Sequence, residues 1–172
     1  GDAIAALIRI QSAAPAGVLP DYDRALLERE LALFPEWFVA RQLGHALAPA
    51  DAAVVKNAFE LILANNLAQA RSVVHRDYHS RNLMLLAPDA AVGPNPGVLD
   101  FQDAVYGPIT YDLVSLLRDA YIGWDEARQI DFAVRYWQQA RSAGLPVGDD
   151  FGLFWRDVEW MGLQRHLKVL GI

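Results

Sequence analysis

The sequence predicts a mainly α-helical domain carrying one small β-hairpin. Apolar residues recur at helical spacing through both the first 70 residues and the last 25, whereas two short apolar runs near the middle flank a segment rich in proline and glycine. At 172 residues the chain is long enough for one domain with its own core.

The elements follow in order. Asp2 to Gln11 carries Ile4, Leu7 and Ile8 on one face, with Asp2 as the expected cap. Leu19-Pro20-Asp21-Tyr22-Asp23 leads into a helix bearing Leu26, Leu27, Leu31 and Phe34, which Pro35 should kink or restart. Ala52 to Ala70 places Val55, Phe59, Ile62, Leu63 and Leu67 at helical spacing. Leu83 to Leu86 and Gly97 to Asp100 read as two antiparallel strands joined by a loop from Ala87 to Pro96. Asp112 opens an apolar helical run through Leu113, Leu116, Leu117 and Ala120. Asp149-Asp150 can cap a final helix whose Phe151, Phe154, Trp155, Val158 and Met161 form an apolar stripe.

One stretch carries chemistry. His75-Arg76-Asp77-Tyr78-His79-Ser80-Arg81-Asn82 is an H-R-D-x-x-x-x-N run, followed eighteen positions later by Asp100. Phosphoryl transfer from ATP to a hydroxyl needs an acceptor for the hydroxyl proton and oxygen ligands for Mg²⁺. Asp77 suits the first task, and Asn82 and Asp100 suit the second, because Mg²⁺ is a hard cation that takes amide and carboxylate oxygens. A shuffled sequence of this composition would show H-x-D-x-x-x-x-N only about once in a hundred trials, so chance explains the motif poorly. The hairpin sets the start of its first strand beside the end of its second, where Asn82 and Asp100 can share one cation.

Residues 73 to 118 resemble the catalytic half of the aminoglycoside phosphotransferase and choline kinase group, relatives of the protein kinases. The resemblance implies a kinase-like fold, Asp77 as catalytic base, and Asn82 and Asp100 as the Mg²⁺ and nucleotide ligands. It also implies that His79 approaches the transferring phosphate. Asp100 is followed by Phe101-Gln102 rather than Phe-Gly, which speaks against a protein-kinase type of activation-loop switch. Gly107-Pro108-Ile109-Thr110-Tyr111-Asp112-Leu113 resembles the group's G-D-P-x-x-D-L segment. Asp112 is read as a carboxylate at the N-terminus of its own helix, a placement compatible with bracing the catalytic loop.

Kinases of this type place a glycine-rich loop and an ATP-binding lysine before the catalytic loop. Residues 1 to 72 hold no G-x-G-x-x-G, only Gly17 and Gly44 after Gly1, and Lys56 as their one lysine. The expectation is therefore a single domain, residues 1–172, equivalent to the helical C-terminal lobe with the N-terminal nucleotide lobe missing and the C-terminus also truncated. Such a fragment should be inactive alone, and the apolar surface where the other lobe would dock offers a self-association surface.

Substrate identity is sought in the helical region before the loop. Leu-Phe-Pro-Glu-Trp-Phe-Val-Ala-Arg at positions 33–41 and Met161-Gly162-Leu163-Gln164-Arg165-His166-Leu167-Lys168 resemble the bacterial amino-sugar kinases of cell-wall recycling more than the antibiotic-resistance enzymes. That implies ATP-dependent phosphorylation of N-acetylmuramate and N-acetylglucosamine at the anomeric hydroxyl. Trp37 is a candidate wall for the sugar ring, although an aromatic at helical spacing reads more readily as core. Glu30, Glu36, Arg41 and Arg165 are candidates for sugar hydroxyls or a lactyl carboxylate, against the simpler reading of a solvated helix face. His45 and His166 read as helix residues, His75 as a buttress of the loop, and Asp103 as either support for Asp100 or a plain surface residue.

Composition narrows the class. A net charge of −6 and a pI near 5.1 argue against a broad nucleic-acid surface. No apolar run reaches membrane-spanning length and no signal-peptide pattern is visible, so a cytoplasmic enzyme without membrane contact is expected. With no cysteine, disulfides and thiolate chemistry are excluded. Two other classes stay open: a non-catalytic sugar-binding module, and a Mg²⁺ phosphoesterase that would need a further carboxylate near Asp77, with Asp103 the nearest. An aminoglycoside or another small alcohol is the alternative acceptor.

Overall fold

A computed structural model describes residues 1–87 and 93–172. The middle of the predicted hairpin loop, 88–92, lies outside the described residues. The described chain is mainly helical: α1 (Asp2–Gln11), α2 (Arg24–Leu33), α3 (Pro49–Ala68), α4 (Tyr111–Leu117), α5 (Glu126–Ser142) and α6 (Phe151–Leu170). Four short strands accompany them: β1 (Arg71–Val74), β2 (Leu83–Met84), β3 (Gly97–Val98) and β4 (Val105–Pro108).

Helix α6 is the hub, packing against α2, α3 and α4. Phe154, Val158 and Met161 of its apolar stripe are buried, and Asp150 caps it by accepting the Leu153 N–H at 3.1 Å. Asp149 instead pairs with Arg141. The expected Asp2 cap does not form: α1 starts at Gly1 without a side-chain cap, and Asp2 lies in the first turn, where its charge complements the helix dipole. A cap not anticipated from sequence is Asp23, which accepts the Leu26 N–H at 2.9 Å and starts α2. Helix α5 was not anticipated either. Asp125 caps it, and Ala133, Tyr136 and Ala140 form its buried face.

Pro35 has no N–H to donate, so α2 cannot continue with regular bonding. The chain widens into a π-helical segment, Phe34–Gln42, with the Leu43 N–H reaching back to the Phe38 carbonyl at 2.9 Å. Gly44 then takes a φ of 62° and closes the segment, and the His45 N–H bonds the Val39 carbonyl.

The hairpin forms as β2 against β3, in register Leu83↔Val98 and Met84↔Gly97. A second antiparallel ribbon joins β1 to β4, from Arg71↔Pro108 to Val74↔Val105. The sequence does not announce this ribbon, because its strands lie some thirty residues apart and one of them contains both glycine and proline. Residues Pro20 to Tyr22 run alongside it: the Tyr106 N–H donates to the Pro20 carbonyl at 2.8 Å and the Tyr22 N–H to the Tyr106 carbonyl at 2.9 Å. The approach is so close that a Cβ at Gly107 would collide with the Tyr22 side chain, which is itself fully enclosed. Gly107→Ala should therefore cost about 1–3 kcal/mol by overpacking, read as a lower urea midpoint; an unchanged midpoint would show that the ribbon and residues 20–22 are not seated this tightly.

Candidate active site

The catalytic loop leaves β1 at His75. Among the described residues, only two other than glycine have left-handed backbone: Arg76 at φ 77° and Asp100 at φ 69°. Both lie in the candidate site. Such conformations persist only where the surroundings over-determine them, and they concentrate at functional sites.

What holds Arg76 there is Asp112. Its Oδ2 accepts the His75 N–H at 2.6 Å and its Oδ1 accepts the Arg76 N–H at 3.0 Å. Asp112 does lie in the first turn of α4, as expected, and the bracing that this placement allows is observed, although the N–H groups it accepts belong to a loop 36 residues upstream rather than to its own helix. Asp112 is fully buried, and burial pushes its carboxyl up to about 7, with the His75 and Arg76 amides and the Arg165 guanidinium pulling the other way.

Around this brace the motif residues take their places. His75 is buried, accepts the Asp77 N–H on Nδ1 at 3.3 Å and has the Leu99 backbone against its ring; burial holds its pKa below the ordinary range, so it acts as a neutral buttress, as expected. Asn82 donates from Nδ2 to the Asp77 carbonyl at 2.9 Å, which ties the two ends of the motif together and leaves the amide oxygen uncommitted among the described residues. The Leu99 N–H bonds the Asn82 carbonyl at 3.0 Å, so the hairpin sets Asn82 opposite Leu99, the residue before Asp100. The Asp100 side chain accepts only from Gln102 Nε2, at 2.8 Å, among the described residues. An amide oxygen and a carboxylate are ligand types that a hard cation takes. His79 lies beside Tyr121, with ring centroids 5.6 Å apart, and its buried Nδ1 has no partner among the described residues.

Asp119, which the sequence reading missed, secures the other side of the loop. It accepts the Ser80 N–H at 2.7 Å and the Tyr121 N–H at 2.9 Å. Burial raises its carboxyl, but these donors outweigh it and hold the pKa below the ordinary value. Its bond to Tyr121 is a local turn, but nothing near Asp119 in sequence announces the Ser80 partner 39 residues upstream.

The proposed substrate residues separate into two groups. Trp37 and Arg41 are exposed, not core, and stack on each other with the guanidinium carbon 3.8 Å from the ring centroid. Glu30 and Arg165 are buried, which corrects the solvated-face reading and takes both away from any sugar. Glu30 receives the Tyr22 hydroxyl, Arg76 and Lys168, and Arg165 donates to the Ser115 hydroxyl at 2.5 Å. Glu36, His45, Asp103 and His166 are exposed. Among the described residues no three His, Cys, Asp or Glu side chains converge as a metal site, so Asp103 does not complete the acidic cluster that a phosphoesterase needs.

Replacing Asp112 by Asn leaves one of the two loop N–H groups facing an amide NH₂. The expected cost is about 1–3 kcal/mol at pH 4. The native carboxyl, with its pKa raised above the ordinary 3.8, binds a proton more tightly in the folded chain. Stability should therefore fall as pH rises from about 4 to about 7, a slope the Asn variant should lack. Urea midpoints measured across that range check both statements, and parallel pH profiles would contradict the second.

Comparison with known proteins agrees with this geometry. A family model described as the phosphotransferase enzyme family matches residues 1–151. The chain is 53% identical over 171 residues to the N-acetylmuramate/N-acetylglucosamine kinase of Neisseria meningitidis serogroup B, covering 99% of this chain and 49% of that protein. It is 50% identical to the enzyme of the same name from Pseudomonas putida over 171 residues, again 99% of this chain and 49% of the relative. For the Pseudomonas aeruginosa enzyme the identity is 49% over 170 residues, with 99% and 48% covered. The chain thus spans about half the length of the curated relatives it matches. With a kinase-type loop braced on Asp112 and a family match across most of its length, the chain belongs to the phosphotransferase enzyme family.

Proposed function

We propose that the protein containing this chain is an ATP-dependent sugar kinase that phosphorylates the anomeric hydroxyl of N-acetylmuramate and N-acetylglucosamine. Such an enzyme would act in cytoplasmic recycling of cell-wall sugars. The observation that carries this reading is a loop in which the Asn82 side chain bonds the Asp77 carbonyl and the Asn82 carbonyl takes the N–H of Leu99, next to Asp100, in a chain about half identical to kinases of that name. No helix among the described residues is long and apolar enough to cross a membrane. The chain supplies the helical, acceptor-side half as one domain, residues 1–172. The chain spans about half of its relatives' length, and on this reading a lobe covering the nucleotide would come from the rest of the protein. Met84, Leu85, Leu99 and Phe101 are exposed beside the site, where that lobe would dock or where isolated chains would self-associate.

Asp77 takes the proton of the acceptor hydroxyl as its oxygen attacks the γ-phosphorus and the bond to the β,γ-bridging oxygen breaks, releasing ADP. Asn82 Oδ1 and the Asp100 carboxylate would hold Mg²⁺, which neutralises phosphate charge when bound. His79 would approach the transferring phosphoryl group through Nε2, since its Nδ1 is enclosed. Trp37 and Arg41 remain the candidate sugar contacts, because both are exposed.

Phosphorus NMR tests the proposal, with ATP and each sugar supplied to the full-length protein and to this chain side by side. Anomeric sugar phosphate is expected from the full-length protein alone, because on this reading both lobes are needed to hold the nucleotide. No product from either sugar would reject the substrate class and move the search to aminoglycosides, choline and related alcohols. In the full-length protein, Asp77→Asn should lower turnover by about 10²–10⁴-fold with sugar binding nearly intact. Equal losses of binding and turnover would count against Asp77 as the base. Asp100→Ala should abolish Mg²⁺-supported nucleotide binding in calorimetry, and retained metal dependence would place the ligand elsewhere.

A further inference from the structure

The buried carboxylate of Glu30 has no part in the chemistry above, yet it is wired to the catalytic loop. It accepts the Tyr22 hydroxyl at 2.5 Å, Lys168 Nζ at 3.0 Å and Arg76 Nη2 at 3.2 Å. Lys168 alone supplies one counter-charge for one buried carboxylate, so the second cation is more than pairing requires. Of the three partners only Arg76 belongs to the catalytic loop, and Arg76 is the residue with left-handed backbone next to Asp77. Asp112 fixes the backbone of Arg76, and Glu30 fixes the far end of its side chain.

We infer that Glu30 is a positioning residue, which acts through the Arg76 guanidinium to hold the Asp77 carboxylate in its reacting place. The inference rests on the kinase reading for its kinetic consequence and on the geometry alone for its structural one. Glu30 also lies on α2, which runs on into the segment bearing Trp37 and Arg41. A shift of that segment therefore has a rigid route to Asp77.

The test uses the full-length protein with Glu30→Gln, Arg76→Gln and the double variant. Misplacing a catalytic group by about 1 Å can cost 10²-fold, so kcat per folded molecule should fall about 10- to 100-fold in each single variant, with KM for sugar and nucleotide within about threefold. The double variant should be no slower than the worse single one, because the two residues act as one unit. Multiplying losses, or an unchanged kcat per folded molecule, would overturn the inference. Amide hydrogen exchange supplies a readout that does not depend on activity: in Glu30→Gln, residues 76–82 should exchange at least about tenfold faster while α4 is unchanged. Unchanged exchange in the loop would refute the positioning role even if no sugar proved to be a substrate. Faster exchange without any transfer by the wild type would sustain that role and reject the kinase reading instead.

Discussion

The two hydrogen bonds from the His75 and Arg76 amides to the Asp112 carboxylate tie the beginning of the catalytic loop to the first turn of α4. Much of the surrounding structure can be understood as what brings those groups together. The β1–β4 ribbon sets the end of β4 beside the start of β1, and α4, which follows almost at once, brings Asp112 to the backbone that leaves the end of β1. Gly107 lets Tyr22 close over the ribbon, and Tyr22 in turn faces Tyr111, the residue before Asp112. A carboxylate so deeply buried is costly, and burial alone would favour its neutral form. The two amides and the nearby Arg165 guanidinium are what make it tolerable there.

Other buried polar groups fix the helices around this centre. Gln11 donates to the Ile109 carbonyl at 2.9 Å and accepts the Tyr136 hydroxyl at 2.5 Å, joining α1 and α5 to the end of β4. Thr110 donates to Gln69 at 2.6 Å, which links the end of α3 to the start of α4. Gln164 of α6 donates to the Leu27 carbonyl of α2 at 3.1 Å. Apolar packing would allow these helices to slide; each of these bonds favours one register, because a buried polar group left without its partner is expensive.

The parts of this arrangement that were legible in the sequence are local ones. Asp77 and Asn82 are recognisable because one loop must carry both at a set spacing, and the hairpin because two apolar runs bracket proline and glycine. α1, α3 and α6 show their helical period. What stayed hidden depends on partners far along the chain. The β1–β4 ribbon pairs residues from Arg71 to Pro108, and neither strand has a pattern of its own. Glu30 and Arg165 look like surface charges until Lys168, Arg76, Tyr22 and Ser115 come from elsewhere to meet them. Trp37 errs the other way. Its spacing suits a buried face of a regular helix, but Pro35 widens the helix and turns that position outward.

The central claim is that the Asp112 carboxylate bonds the catalytic loop directly. Scalar coupling across hydrogen bonds, measured by NMR between the His75 and Arg76 amide nitrogens and the Asp112 carboxyl carbon, tests it without reference to activity. The account predicts coupling to both amides, with the larger value at His75, whose bond is the shorter at 2.6 Å against 3.0 Å. Absence of coupling at both, with amide proton shifts unmoved by Asp112→Asn, would contradict it.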